Sequence, residues 1–287
     1  PLQFPANYRR SEPIPGRPGQ RSGPKHRGIF PDYDLGLQVG VMRALEPTAL
    51  PTPVVRWYDP HPRVTGAPSL IMDFAAGDVP SDTPPGFHGQ GLYADASEAE
   101  RASMWSEGLK KVAELHALDW RALALPALPG KGSDAKASMA DQHRLLETWV
   151  RWGEMEHLPP IKAGMKWLRD TPPPETSLSL LWGDARPGNI LHQDGRPAAM
   201  LDWEIASIGL PGLDLFYWWW SSELLAEVNH IPRLSGLPDH QREAQPKTTH
   251  PRPEPLTSMD SAGPHLSSTR GSHISISLLA CSKACSQ

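Results

Sequence analysis

Cysteine is almost absent from this chain. Cys281 and Cys285 are the only two, and no second pair accompanies them. That excludes a disulfide framework and argues against a zinc site. Long apolar runs are missing too. The longest, near Leu213 to Trp220, falls far short of the ~20 residues that span a bilayer. No apolar run follows the basic start, so no secretory signal is expected, and the expected location is cytoplasmic. Charge of either sign is not in excess. Lys and Arg number 28 against 32 Asp and Glu, a net −4 that singles out no partner class.

Proline, by contrast, is abundant at 33 of 287 residues and is unevenly spread. Residues 1–27 hold Pro1, Pro5, Pro13, Pro15, Pro18 and Pro24, with Arg9, Arg10, Arg17, Arg21, Lys25 and Arg27 against Glu12. Such a segment cannot bury enough apolar surface to offset its ordering entropy, so it reads as a disordered basic stretch. No aromatic interleaving supports nucleic-acid binding there. Residues 241–287 read as a second disordered region, polar and rich in Ser, Thr, Pro and His. His250, His265 and His273 are too scattered to hold a metal.

The informative stretch is Leu181-Trp-Gly-Asp-Ala-Arg-Pro-Gly-Asn-Ile-Leu191, followed by Met200-Leu-Asp-Trp-Glu204. A strand over 177–182 runs into a loop shaped by Gly183 and Pro187-Gly188. Residues 189–193 predict a second strand, Asp194-Gly195 a two-residue hairpin turn, and residues 197–201 the returning strand. Asn189 opens one strand and Asp202 closes the other, so the two meet at one sheet end, with Asp184 in the preceding loop. A carboxylate to receive a hydroxyl proton, an amide oxygen and a second carboxylate to hold Mg²⁺ are what phosphoryl transfer from ATP asks of a protein. Arg186, inside the loop, is placed either to neutralise phosphate charge or to pair with a nearby carboxylate.

Elsewhere the periodicity predicts helices. One covers 35–45. A second opens at the capping box Ser97-Glu-Ala-Glu100 and carries Trp105, Leu109, Val112, Leu115 and His116. His116 reads as a packed, hydrogen-bonded histidine. Further helices are expected over 139–155, near 161–168, and from Phe216 after Asp214. The tryptophans at 218–220 read as core, or as walls of an acceptor pocket. Residues 50–58 and 68–74 predict two strands forming a hairpin across 59–66.

The combination Gly-Asp-x-x-x-x-Asn, hairpin, Leu-Asp-Trp-Glu and Ile208-Gly-Leu-Pro-Gly-Leu-Asp-Leu215 resembles the aminoglycoside phosphotransferase and choline kinase group. Phe30-Pro-Asp-Tyr-Asp-Leu35, Val41-Met-Arg-Ala-Leu45 and Gly77-Asp-Val-Pro-Ser-Asp-Thr-Pro-Pro85 resemble its branch associated with acyl-CoA dehydrogenases. The resemblance implies an α+β, two-lobed, protein-kinase-like fold. A truncated N-lobe and hinge would cover 28–75, and a mostly helical C-lobe bearing the catalytic hairpin 76–240. It implies Asp184 as catalytic carboxylate, Asn189 and Asp202 as Mg²⁺ ligands, and Asp214 as a brace for the loop. Trp182 stands where the family usually has a supporting histidine, and Gln38 where it has a glutamate. Met72, Asp73 and Phe74 would be the hinge that meets adenine; the plain alternative is a buried strand. No Gly-rich phosphate loop or phosphate-binding Lys or Arg precedes residue 30. The implied activity is Mg²⁺- and ATP-dependent transfer to a small-molecule hydroxyl, of a hydroxyacyl compound in this branch. The alternative is a catalytically impaired, pseudokinase-like or truncated module.

Overall fold

The computed structural model describes residue 31 and residues 34–61, 68–131, 134–171 and 177–238. The expectations for 1–27 and 241–287 lie outside the described residues, as do both cysteines.

Helix α1 (Leu35–Leu45) starts where Asp34 accepts from the backbone of Gly36 and Leu37 at 2.8 and 3.2 Å. Those contacts satisfy amides that a helix start leaves without partners. Its Val39, Val41, Met42 and Leu45 are buried. Strands β1 (Val55–Asp59) and β2 (Ser69–Met72) follow and pair antiparallel, with Trp57 opposite Ile71. The β2 segment is half-buried rather than buried.

The larger, helical part begins with the single turn α2 (Leu92–Asp95) and the long α3 (Glu98–His116). The Ser97–Glu100 capping box is complete: Ser97 N–H donates to the Glu100 carboxylate at 2.9 Å, and Glu100 N–H to Ser97 Oγ at 3.3 Å. Helix α4 (Ala135–Trp152) starts earlier than the periodicity suggests, because Asp134 caps it through the Ala137 amide at 2.8 Å. Met155 falls beyond its end and packs with Val150, Ile161 and Met165, in a small core shared with α5 (Pro159–Asp170).

Strand β3 (Ser179–Leu181) pairs antiparallel with β6 (Ser207–Gly209). Between them β4 (Ile190–Gln193) and β5 (Arg196–Met200) form the hairpin, with Ile190 opposite Met200. Asp194 and Gly195 turn it at φ of +50° and +72°, the double positive-φ geometry that suits a two-residue connection. Asn189 is not in the strand, as the sequence pattern suggests, but ends a short 3₁₀ turn at Pro187–Asn189. Proline starts such a turn readily because its φ is preset and the missing N–H is not needed there. Helix α6 (Gly212–Val228) likewise begins before Asp214, not after it, and puts Asp214 in its first turn.

One apolar core runs from α1 to α6. Four tryptophans, Trp105, Trp182, Trp203 and Trp218, are wholly buried in it. Trp105 meets Trp218 edge-on at 5.3 Å between ring centres, and Trp182 lies 5.6 Å from Trp203. The α6 tryptophan at 218 is therefore core. Of the described residues, no helix is long and apolar enough to cross a membrane.

Candidate active site at the hairpin end

The loop after β3 is held from behind by one carboxylate. Asp214, 1 % exposed, accepts from the amides of Trp182 at 2.8 Å and Gly183 at 2.9 Å. His116 Nε2 lies 2.9 Å from the same carboxylate, so the histidine is the packed, hydrogen-bonded one its position on the stripe suggests. Gly183 sits at φ +89°, and a Cβ there would lie 2.3 Å from the Ile205 carbonyl oxygen. Only glycine fits that backbone. Trp182 ties the loop to the hairpin exit: its indole N–H donates to the carbonyls of Leu201 at 2.9 Å and Asp202 at 3.1 Å.

The three groups singled out in the sequence converge. Asn189 Nδ2 donates to the Asp184 carbonyl at 3.0 Å and to Asp184 Oδ2 at 2.7 Å. Both partners are acceptors, which fixes the amide orientation and leaves Asn189 Oδ1 as its remaining acceptor. The Leu201 amide donates to the Asn189 carbonyl at 2.9 Å, setting Asp202 one residue past that pairing. Asp202 takes φ +63°, a left-handed conformation that turns the chain out of the strand. Burial, then the like charge of Asp184, push the Asp202 carboxyl up to about 6.

Of the two alternatives left by the sequence, Arg186 shows the pairing with nearby carboxylates. Its Nε donates to Asp184 Oδ2 at 2.9 Å, and its Nη1 pairs with Asp82 Oδ2. Burial works against the guanidinium charge, but the Asp184 and Asp82 carboxylates outweigh it and hold Arg186 above its ordinary range. Asp184 Oδ2 thus receives both Arg186 and Asn189.

Two residues of this cluster escape local sequence reading. Asp82 reaches Arg186 from 104 positions away, a contact no periodicity reveals. Glu204 sits beside the site, where burial, then Asp202 and Asp184, push its carboxyl up to about 7. Its presence in Leu-Asp-Trp-Glu was the available signal.

Met72, Asp73 and Phe74 do not join the cluster through hydrogen bonds. Asp73 N–H donates to the Val54 carbonyl at 2.9 Å, and its carboxylate takes a two-pronged contact from Arg56 at 2.7 and 2.6 Å. Phe74 is 63 % exposed. The Asp73 amide is therefore committed to the small hairpin, and the exposed Phe74 ring is the apolar surface this segment offers.

A divalent cation suits the donor set. Asp202 is a half-buried carboxylate beside Asp184 and Glu204, so positive charge there relieves both desolvation and repulsion. Among the described residues no three His, Cys, Asp or Glu side chains converge as a ready-made cage. The protein's share would be Asp202 and Asn189 Oδ1. A Mg²⁺ ion usually takes only one or two carboxylates and completes its shell with water and phosphate.

Known proteins resemble this chain in sequence and in fold. The human acyl-CoA dehydrogenase family member 11 is 27 % identical over 218 residues, covering 72 % of this chain and 26 % of that protein. The Gallus gallus protein of the same name is 28 % identical over 206 residues, covering 68 % and 24 %. The chain thus spans about a quarter of the length of these relatives. Among solved structures, an aminoglycoside phosphotransferase, so described provisionally, from Ralstonia eutropha aligns at a TM-score of 0.49 and 21 % identity, over 69 % of this chain and 66 % of that one. An aminoglycoside-3'-phosphotransferase of type VIII aligns at 0.45 and 18 % identity, over 66 % and 64 %. The sequence profile described as the phosphotransferase enzyme family matches residues 32–244, most of the length, and the chain belongs to that family.

Proposed function

We propose that this chain transfers the γ-phosphoryl group of ATP, with Mg²⁺, to the hydroxyl of a small molecule. The observation that carries the reading is the division of labour on Asp184. One carboxylate oxygen is occupied by Arg186 at 2.9 Å and Asn189 at 2.7 Å, which leaves the other to face an acceptor. In this reading Asp184 Oδ1 orients the acceptor hydroxyl and takes its proton as the new P–O bond forms and ADP leaves. Asn189 Oδ1 and Asp202 would hold the cation. Arg186 offsets the charge spread over the phosphoryl oxygens. Mg-ATP, when bound, supplies the phosphoryl group and the counter-charge for the phosphates. The segment Met72–Phe74 would meet the adenine, and the exposed Phe74 ring offers it apolar surface. The kinship with acyl-CoA dehydrogenase family members makes a hydroxyacyl compound the first acceptor to try, and a functional link to such a dehydrogenase part of the proposal.

A second reading, an impaired module that grips nucleotide weakly, is favoured by Gln38. It is buried in α1 at 5 % exposure, and a neutral amide cannot form the ion pair expected there with a phosphate-binding cation. Thermal shift with Mg-ATP separates the two. Ligand at 100 times its dissociation constant adds about 2.7 kcal/mol, or roughly 5–10 °C for a domain of this size. The first reading predicts that shift, and its loss in Asp202→Ala. No shift at millimolar Mg-ATP selects the second.

A further inference from the structure

We infer that Asp82 is a positioning residue for phosphoryl transfer, holding Arg186 from the far side of the catalytic loop so that the guanidinium is shared between Asp82 and Asp184. The inference rests on the reading of Asp184 and Arg186 given above.

Residues 77–85 connect the small hairpin to the helical part, yet they do not run free over the surface. Asp78 pairs with His192 of β4 as an extra antiparallel bridge, N–H to carbonyl in both directions at 2.9 and 2.8 Å. Val79 packs against Leu191, Ala199 and Leu201 of the catalytic hairpin. Further on, Gln90 Nε2 donates to the carbonyls of Thr83 at 3.0 Å and Pro84 at 3.4 Å. The strap is tied on both sides of Asp82, which lowers the freedom of its side chain before any contact is made.

Asp82 is then seated directly on the loop. A Cβ on Gly188 would lie 2.3 Å from Asp82 Oδ2 and 2.5 Å from Oδ1, so the bare Gly188 backbone makes the space the carboxylate fills. From there Asp82 Oδ2 takes Arg186 Nη1, while Arg186 Nε stays on Asp184. Guanidinium is a planar, rigid fork, and fixing two of its nitrogens fixes its plane. With Asp184 alone as anchor, the long side chain would follow that one carboxylate. With Asp82 as the second anchor, the charge remains over the loop when Asp184 engages an acceptor.

The test pairs a direct view of the guanidinium with kinetics. In ¹⁵N-labelled protein, the Arg186 Nη resonances, assigned by their loss in Arg186→Lys, should show slowed rotation about the Cζ–Nη1 bond in wild type, where Asp82 holds Nη1, and lose that slowing in Asp82→Asn. ADP release from Mg-ATP with water as acceptor should slow roughly 10- to 100-fold in Asp82→Asn, while KM for Mg-ATP changes less than about threefold. Gly188→Ala, which fills the carboxylate's space, should do the same. In an Arg186→Ala background Asp82→Asn should cost nothing further, because its only route of action is gone. An unchanged Arg186 resonance in Asp82→Asn, or costs of the two variants that multiply, would overturn the proposal. A wild-type protein that never releases ADP sinks the phosphotransferase reading alone, and the resonance then decides the hold by itself.

Discussion

Removing the Asp214 carboxylate should loosen the loop after β3 more than any other single change. In Asp214→Ala the amides of Trp182 and Gly183 lose acceptors at 2.8 and 2.9 Å, and His116 loses its partner at 2.9 Å. The site is 1 % exposed, so water does not readily replace what is lost. A buried donor left unpaired costs about 1–3 kcal/mol, and bonds to a charged group sit at the upper end. Two amides therefore give roughly 3–5 kcal/mol, a large part of the ~5–15 kcal/mol that holds a domain together. At roughly 2–4 °C per kcal/mol the midpoint should fall by about 6–20 °C. Asp214→Asn should cost less, about 1–3 kcal/mol. Its oxygen can keep the Trp182 and His116 contacts at the Oδ2 position, and its NH₂ then meets the Gly183 amide donor to donor. Urea unfolding monitored by tryptophan fluorescence measures both, with the m-value checking that the transition stays two-state. A loss under about 1 kcal/mol in Asp214→Ala would refute the idea that this carboxylate holds the loop.

Other outcomes follow from the same contacts. Gly183→Ala should destabilise by at least about 2 kcal/mol, because the residue sits at φ +89° with the Ile205 carbonyl 2.3 Å from a Cβ; denaturant melts check it. Burial lowers the His88 pKa from its ordinary 6.5, against the Ser222 carbonyl bond that raises it. The unfolded chain then binds more protons than the folded one, so stability should drop as pH falls through 6.5, and His88→Gln should flatten that slope in melts at pH 5–8. Glu204 behaves oppositely: burial and the neighbouring carboxylates raise it from 4.5 to about 7. Its ionisation costs stability as pH rises from 4.5 to 7. Glu204→Gln should stabilise the metal-free chain by about 1 kcal/mol at pH 8, allowing for solvent screening, and leave it unchanged at pH 4.

Much of the site was legible because its signals are local. The Asp194-Gly195 turn specifies its own φ values, the Ser97–Glu100 box spans three residues, and the hairpin between Asn189 and Asp202 follows from strand alternation. What escaped is non-local or a matter of termini. Pro187 starts a 3₁₀ turn that takes Asn189 out of the strand, which alternation alone does not register. Asp214 reads as the residue before a helix, yet the helix starts at Gly212 and its first turn aims the carboxylate back at the β3 loop. The ion pair between Arg56 and Asp73 crosses the small hairpin between residues 17 apart, a spacing that no local pattern registers. The Asp82 contact is set by the strap's pairing with His192. It belongs to the tertiary fold and leaves only a glycine at 188 as its trace.

The central claim is that Asp184 performs phosphoryl transfer, and Asp184→Asn tests it most directly. Turnover of Mg-ATP with a panel of hydroxyacyl and simpler alcohol acceptors, followed by ³¹P NMR, should fall by about 10²–10⁴-fold in that variant, while the Mg-ATP thermal shift is retained. Equal turnover in wild type and Asp184→Asn would contradict the account.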